Sequence, residues 1–539
     1  MTTKKYSADI VIAGGGLAGI VAAIELLDAG KKVLLVDRDI KDRFGGLAKE
    51  SFGGVFMVDT PNQKKMGIND SVDLAISDWN SFAEFGPGDD LPKAWAKAYV
   101  ENCLEYVYHW SGNHGVSFFP VVHWVERGLH QPGNSVPRFH MVWGTGKALI
   151  DSSVERLMGH KNAKNLEVLF RHRVDDLIVE NQTVAGFRGV DEESEQDFEV
   201  IGESTIIATG GVCGSIKKVK ENWYGPWGEP PKVILNGSHR YADGKLHDVV
   251  KAKGGMVTHM DKYWHYAAGV HHPRPTKEND GLSLVPPKSA LWFNYKGERI
   301  GPTPLITSFD TRFLVESISL QEQKYSWQVL NQKIAIKEMA VSGAEFNPAI
   351  RDKNIVGFLK SILLGNKDLV NDLTTNCEDF VVANSIDELI KKMEEINFGN
   401  KINVEKFKHD IQSYDNSIGR GKKLHNDEQL RRIAHVRQYR GDKVRTCKFQ
   451  KINDPDAYPL IAIREFILSR KTLGGIQTDL RSRVLDQSGS PIKGLYAVGE
   501  AAGFGGGGMH GLRALEGTFL GGCIYSAQVA AESITGKKQ

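Results

Sequence analysis

Residues 8–37, ADIVIAGGGLAGIVAAIELLDAGKKVLLVD, restrict what this chain can fold into more than any other stretch. An apolar strand over 8–12, a glycine turn, a helix over 20–29 and a second apolar strand over 32–36 make one βαβ unit. Gly14, Gly16 and Gly19 stand in the GxGxxG spacing. Gly14 permits the tight turn, Gly16 lets a pyrophosphate approach the backbone, and Gly19 lets the helix pack on the strand. Leu17 and Ala18 lie where the helix N-terminus meets that pyrophosphate. Asp37 closes the second strand, placed to accept from a ribose hydroxyl, and Arg38 is next in the chain. The unit reads as a dinucleotide site, with a functionless glycine turn as the alternative.

A length of 539 residues with 41% hydrophobic residues suggests two to four domains. The formal net charge is +2, from 68 basic and 66 acidic residues, so the charge balance gives no reason to expect nucleic acid or a membrane as partner. The N-terminus shows no cleavable leader, and residues 10–24 are shorter than the ~20 apolar residues of a spanning helix. The five cysteines, Cys103, Cys213, Cys377, Cys447 and Cys523, form no CxxC pair, so neither a disulfide framework nor a metal site is expected. The simplest setting is a reducing cytoplasm.

After Asp37-Arg38 the chain enters a second glycine-rich segment over 44–54, containing Gly45, Gly46, Ser51, Gly53 and Gly54, which a plain NAD domain lacks. Downstream, residues 205–211 (TIIATGG) read as a strand closing on a turn, and residues 494–500 (GLYAVGE) as another strand ending in Gly499-Glu500. In this order and spacing the four elements resemble the FAD domain of the fumarate reductase/succinate dehydrogenase flavoprotein superfamily, which includes the 3-ketosteroid dehydrogenases. The chain is identified as a member of its predicted FAD-binding dehydrogenases, on segments such as NSVPRFH and GGGGMHGLRALEGTFLGG.

The resemblance covers residues 9 to about 532. It implies an α/β fold in which a Rossmann-like FAD-binding domain, with a βαβ unit of the glutathione-reductase type, carries an inserted α+β capping (substrate) domain. The boundaries expected are 1–262 and 446–539 for the FAD-binding parts and 263–445 for the cap. The cofactor implied is FAD, held noncovalently because residues 43–54 contain no His for covalent attachment. Ala208, Thr209 and Gly210 would bracket it from one strand, and Gly499 and Glu500 from another; Glu500 is either a ligand of the ribose or ribityl hydroxyls or a solvated loop carboxylate. A strand over 168–179 would pass the adenine at Val174, and residues 236–255, with Asp243 in a TGDG-like turn, belong to the same domain. No second GxGxxG stands in a strand–helix setting, which argues against an FAD/NAD(P)H reductase.

For chemistry the C-terminal fifth matters most. SRKTLGGI, residues 469–476, matches the family's HxTxGGI element with Arg470 at the His position. A guanidinium there would hold a carboxylate or a carbonyl oxygen, unless it is part of a structural salt bridge. His510 and Arg513 resemble the family's HGxNR pair with one residue fewer between them; the alternatives are a loop-capping histidine and a rim ion pair. The bare glycines around them would let the backbone lie against the flavin. Gly517 and Thr518 open a helix whose dipole would face the flavin's N1/C2 region. His123 and His140, in an aromatic-rich insertion over 106–147, would line a pocket wall or merely pack. Arg312 is a poor match to the cap-domain proton donor, and Tyr263, Tyr266 and Tyr325 are each core or catalyst.

The reaction expected is hydride exchange between flavin N5 and a carbon of a carbonyl-activated C–C bond, as dehydrogenase or ene-reductase, with a carbonyl- or carboxylate-bearing small molecule and a separate electron donor or acceptor. Arg470 and Arg513 would polarise or anchor, and His510 would anchor or move a proton. The departures from the reductase motifs disfavour a plain C4 dicarboxylate. A 3-ketosteroid dehydrogenase, an FAD oxidase and a non-catalytic flavin-binding protein are the other readings.

Overall fold

The computed structural model describes residues 3–536. Its backbone clusters into two compact units: one runs up to Asn222, takes up again at Ser238–Trp264 and continues from Arg470, and the other comprises Trp223–Gly237 and His265–Ser469. The sequence places the return of the first unit at 446, yet the chain up to Ser469 clusters with the second. The reason is the 13-residue strand Leu460–Thr472, whose first half pairs with Tyr325–Asn331 and Phe380–Ala383.

In the first unit a six-stranded sheet runs in the spatial order Arg483–Leu485, Pro491–Ala497, Ser204–Ile207, Ile10–Ala13, Val33–Val36, Leu166–Leu169. Only the edge strand Arg483–Leu485 is antiparallel to its neighbour. Ile10–Ala13 and Val33–Val36 are buried at every residue, as continuous apolar strands covered on both faces must be. The helix Leu17–Asp28 packs on one side beside Thr518–Thr535. On the other side lies a four-stranded sheet of Lys4–Ser7, Gln196–Ile201, Thr183–Asp191 and His172–Glu180. Phe187, Phe198 and Val200 fill the space between it and Val11, Leu34 and Val36.

The expected helix over 20–29 begins at Leu17, because Gly16 itself is the N-cap. The single strand expected over 168–179 is two, Leu166–Leu169 and His172–Glu180. Arg171, at φ +60°, turns the chain between them, so the first pairs with Val33–Val36 and the second with Thr183–Asp191.

In the second unit Leu460–Thr472 is the central strand of an eight-stranded sheet. Tyr325, Phe466, Leu468, Leu235 and Tyr295 form a core cluster there. Arg464 crosses it, with Nε and Nη2 donating to Asp379 Oδ1 at 3.0 and 2.8 Å. The opposite carboxylate oxygen meets His271 Nδ1 at 2.8 Å. Tyr325 donates its hydroxyl to Asn397 Oδ1 at 2.9 Å and packs in that core, so it is a structural tyrosine. Arg312 is buried, 4.6 Å from the ring centroids of both Tyr224 and Trp227.

Candidate functional site: a glycine cradle and a lysine–glutamate pair

The first helix opens with neither a capping side chain nor an acidic residue in its first turn. Its first N–H groups therefore lack side-chain partners at a buried helix end, a ready anion site. The glycines around it fall into two sets. At Gly14, φ is +107° and a Cβ would lie 2.4 Å from the Ala208 carbonyl oxygen; at Gly19 it would lie 2.0 Å from that of Gly14. Gly45 meets Ile150, Gly53 the Thr145–Gly146 backbone, and Gly54 the Phe139 ring. Those five are filled by protein. Around Gly16, by contrast, a Cβ would meet nothing within 4 Å, around Gly46 only Gly16 Cα at 3.5 Å, and around Gly210 only Ala242 Cβ at 3.9 Å. The open positions border a space that a dinucleotide's phosphates would fill, and backbone N–H groups with no acid in the helix's first turn fit FAD.

Asp37 accepts from Gly15 N and Asp39 N, each at 2.6 Å, and burial pushes its carboxyl above the usual range. Arg38 is fixed by Glu192 at 2.9 Å, by Asp243 Oδ2 at 3.2 Å and by stacking on Tyr241, while Asp243 Oδ1 accepts from Lys245 N. Val174, on His172–Glu180, pairs with Gly189 of Thr183–Asp191, against the core between the sheets. Ala208 donates its N–H to Ala13 O at 2.8 Å, which brings Thr209 and Gly210 beside the glycine turn. Ser51 donates to Ala48 O at 2.7 Å. A Cβ on Gly499 would lie 2.9 Å from Ala18 Cβ, so the Gly499-Glu500 corner reaches the first helix. Glu500 accepts from Thr472 N at 2.9 Å, and burial raises its pKa, against the pull of Lys471 and Arg470.

The glycine-rich stretch after Phe504 has a different cause from the one its composition suggests. Cβ atoms on Gly505 and Gly506 would strike Trp95, on Gly507 Thr258, and on Gly511 the Ala83 carbonyl. The bare backbone makes room for the protein's own side chains. His510 is fully buried, stacked on Trp79 at 5.7 Å and edge-on to Phe504 at 5.2 Å. Its Nε2 lies 2.7 Å from Thr518 Oγ1, and Nδ1 has no hydrogen-bond partner. Burial, with the Lys471 charge, holds its pKa down at about 3. Gly517, at φ +99°, accepts from Phe56 N at 2.9 Å and ends the turn that presents Thr518. Arg513 is ion-paired with Glu84.

The sequence reading missed Lys471 and Glu516. Lys471 is half-buried over the Phe519 ring at 4.2 Å, with Nζ 3.9 Å from Glu516 Oε1. Glu516 Oε2 accepts from Trp264 Nε1 at 2.7 Å. Burial pushes the Lys471 pKa down to about 8, Glu516 pulling it up and Arg470 down. Arg470 is buried beside it in the strand. The local signal was the basic dipeptide Arg470-Lys471 near the end of a long, largely buried strand; the acid, 45 residues on, had none. His140 is a packing residue: Nε2 meets Thr60 Oγ1 at 2.8 Å, Nδ1 meets Arg138 O, and burial keeps it neutral with a pKa of about 4. Tyr263 is buried, which pushes its phenol well up.

The family model described as an FAD binding domain matches residues 9–520. A KsdD-like steroid dehydrogenase of Mycobacterium tuberculosis is 41% identical over 543 residues, covering 97% of this chain and 95% of its own. A 3-ketosteroid Δ1-dehydrogenase of Sterolibacterium denitrificans, solved with 1,4-androstadiene-3,17-dione, superposes with a TM-score of 0.69 at 16% identity, covering 99% and 100% of the two chains. The open conformation of a flavocytochrome c3 fumarate reductase gives 0.69 at 19% identity, covering 98% of this chain and 78% of that one. The chain belongs to the FAD binding domain family and is an FAD-dependent oxidoreductase of the dehydrogenase/reductase kind.

Proposed function

We propose that this protein is an FAD-dependent dehydrogenase that acts on a CH–CH bond beside the carbonyl of a steroid-like cyclic ketone. The observation that carries the reading is the pairing of its basic side chains. Lys471 is matched by Glu516 and Arg513 by Glu84. A dianion such as fumarate needs uncompensated cations, whereas a neutral ketone needs one donor at its oxygen and one proton carrier. The 41% identity to a KsdD-like steroid dehydrogenase over nearly the whole chain supports the same substrate class.

Gly16, Leu17, Ala18 and Gly46 hold the pyrophosphate of FAD in this reading, with Gly14 shaping the turn and Gly19 the helix packing beneath it; Asp37, Arg38, Val174 and Asp243 hold its adenosine; and Ala208–Gly210, Gly499, Glu500 and Thr518 the remainder. FAD, noncovalently bound, supplies hydride exchange at N5. Arg470 polarises the substrate carbonyl. Lys471 moves the proton at the neighbouring carbon, its pKa of about 8 leaving both protonation states accessible near neutrality. Glu516, fixed by Trp264, sets the position and the charge of Lys471. His510 and Thr518 hold the start of the final helix in place, and Arg513, through Glu84, anchors the loop. The first compact unit is the Rossmann-like FAD-binding domain and the second the substrate domain, with a division after Ser469.

The test is anaerobic stopped-flow absorbance of the chemically reduced protein mixed separately with a 3-keto-1,4-diene steroid and with fumarate. Rapid reoxidation by the steroid and none by fumarate is expected. Reoxidation by fumarate alone overturns the substrate class, and reoxidation by neither acceptor, with flavin firmly bound, overturns the reaction class.

A further inference from the structure

In the second unit the helix Ile355–Leu364, IVGFLKSILL, has no buried residue. Ile355, Leu359 and Leu363, spaced by four, are 61, 51 and 81% exposed, and Val356 and Leu364 beside them 74 and 60%. Phe358 and Ile362 on the inward side are half-buried. A soluble helix buries its apolar stripe; this one leaves most of its apolar side chains in solvent. Both ends are nonetheless held. Asn354 caps the start by accepting from Gly357 N at 2.9 Å, and beyond the end Asn366 N donates to Ile336 O at 2.8 Å. The stripe is a built surface about 15 Å long.

Its surroundings are basic. Lys353, Lys360 and Lys367 are exposed in and around the helix, and Lys333 and Lys337 on the adjoining Gln332–Glu338. The nearby acids are mostly taken up: Asp352 by Arg351 at 2.7 Å and Asp372 by Arg274 at 3.0 Å. Asp368 remains. The overall charge of +2 therefore conceals a local excess of positive charge around an apolar stripe.

We propose that Ile355–Leu364 is a peripheral docking helix for an anionic lipid bilayer. Its leucines and isoleucine enter the headgroup–acyl boundary while the lysine stems lie along the apolar surface and set their ammonium groups on lipid phosphates. A second copy of the chain is the weaker occupant, since self-association through this face would set its lysines against their own kind. No helix among the described residues is long and apolar enough to cross a membrane, so the attachment is to one face of the bilayer. This departs from the partner expectation drawn from net charge, which averages over the whole chain.

The test uses the FAD-loaded full chain, co-sedimented with phosphatidylcholine vesicles and with vesicles containing phosphatidylglycerol. Binding to the anionic vesicles, weakened by salt, is expected. The double variant L359S/L363S should lose at least ~10-fold in vesicle affinity, and each of K353Q, K360Q and K367Q roughly five-fold. All these side chains are exposed, so flavin absorbance and the thermal midpoint should be unchanged and serve as the folding control. Failure of the wild-type protein to bind anionic vesicles, or equal binding by the double leucine variant, overturns the proposal. So does a dimer that L359S/L363S splits into monomers without any vesicle binding by the wild type.

Discussion

Thr518 and His510 fix each other's protons. The Thr518 hydroxyl gives its single hydrogen to Leu515 O at 2.7 Å, so at the 2.7 Å contact with Nε2 the imidazole is the donor. His510 is thereby the Nε2–H tautomer, with a bare Nδ1 among Trp79, Phe504 and Phe519. The buried Nε2–H of His510 thus depends on one hydroxyl, that of the first residue of the final helix.

Thr518→Val keeps the shape and removes that acceptor. The buried Nε2–H is then unsatisfied, and stability should fall by about 1–3 kcal/mol. Urea unfolding of the FAD-free and FAD-loaded protein measures it; a change below ~0.5 kcal/mol in both would show that the pair holds nothing in place.

Lys471 predicts a pH limb. Dehydrogenation requires the neutral amine as proton acceptor, so its rate should rise as pH passes about 8. The reverse reduction requires the ammonium and should decline over the same range. Lys471→Met should cost roughly 10²- to 10⁴-fold in kcat and remove the limb. Glu516→Gln withdraws the charge that raises the lysine's pKa, so the limb should move to lower pH. A limb unmoved by either substitution would dismiss Lys471 as the proton carrier.

Acid should destabilise the fold through its buried histidines. Burial holds His510 and His265 neutral with pKa values of about 3, and His140 and His247 with values of about 4, below the ordinary 6.5. Below pH 6.5 the unfolded chain takes up protons that the native state refuses. The neutral-form advantage is complete above that pH and shrinks as pH falls, by up to about 1.4 kcal/mol per pH unit for each histidine until its folded pKa is reached. Denaturant unfolding at pH 7, 6 and 5 checks this; a flat profile would contradict it.

Gly16 and Gly14 should respond oppositely to alanine. At Gly16, with φ −73° and open space at the Cβ position, Gly16→Ala should leave the stability of the apoprotein unchanged and weaken FAD binding at least ~10-fold, because the methyl would enter the pyrophosphate space. Gly14→Ala places a methyl 2.4 Å from Ala208 O at φ +107° and should destabilise the apoprotein itself. Flavin fluorescence titration and thermal unfolding separate the two effects; equal FAD affinity in Gly16→Ala would mean that the open space is not the cofactor's.

Much of this protein was determined locally. The βαβ unit over the first forty or so residues was legible because a buried parallel strand, a turn needing positive φ at Gly14 and an amphipathic-to-buried helix each leave their own period and residue type. The strand before Ala208 and the corner at Gly499-Glu500 were legible for the same reason. Tertiary structure alone decided which charges meet. Arg513 with Glu84, and Lys471 with Glu516, join residues far apart in the chain, and no propensity or motif encodes such a pairing. It also decided what the glycines after Phe504 are for: only the fold puts Trp95 against Gly505 and Gly506. Periodicity and turn chemistry act between near neighbours and are written in the sequence, whereas a buried side chain's charge and partners depend on what the folded chain brings within a few ångströms of it.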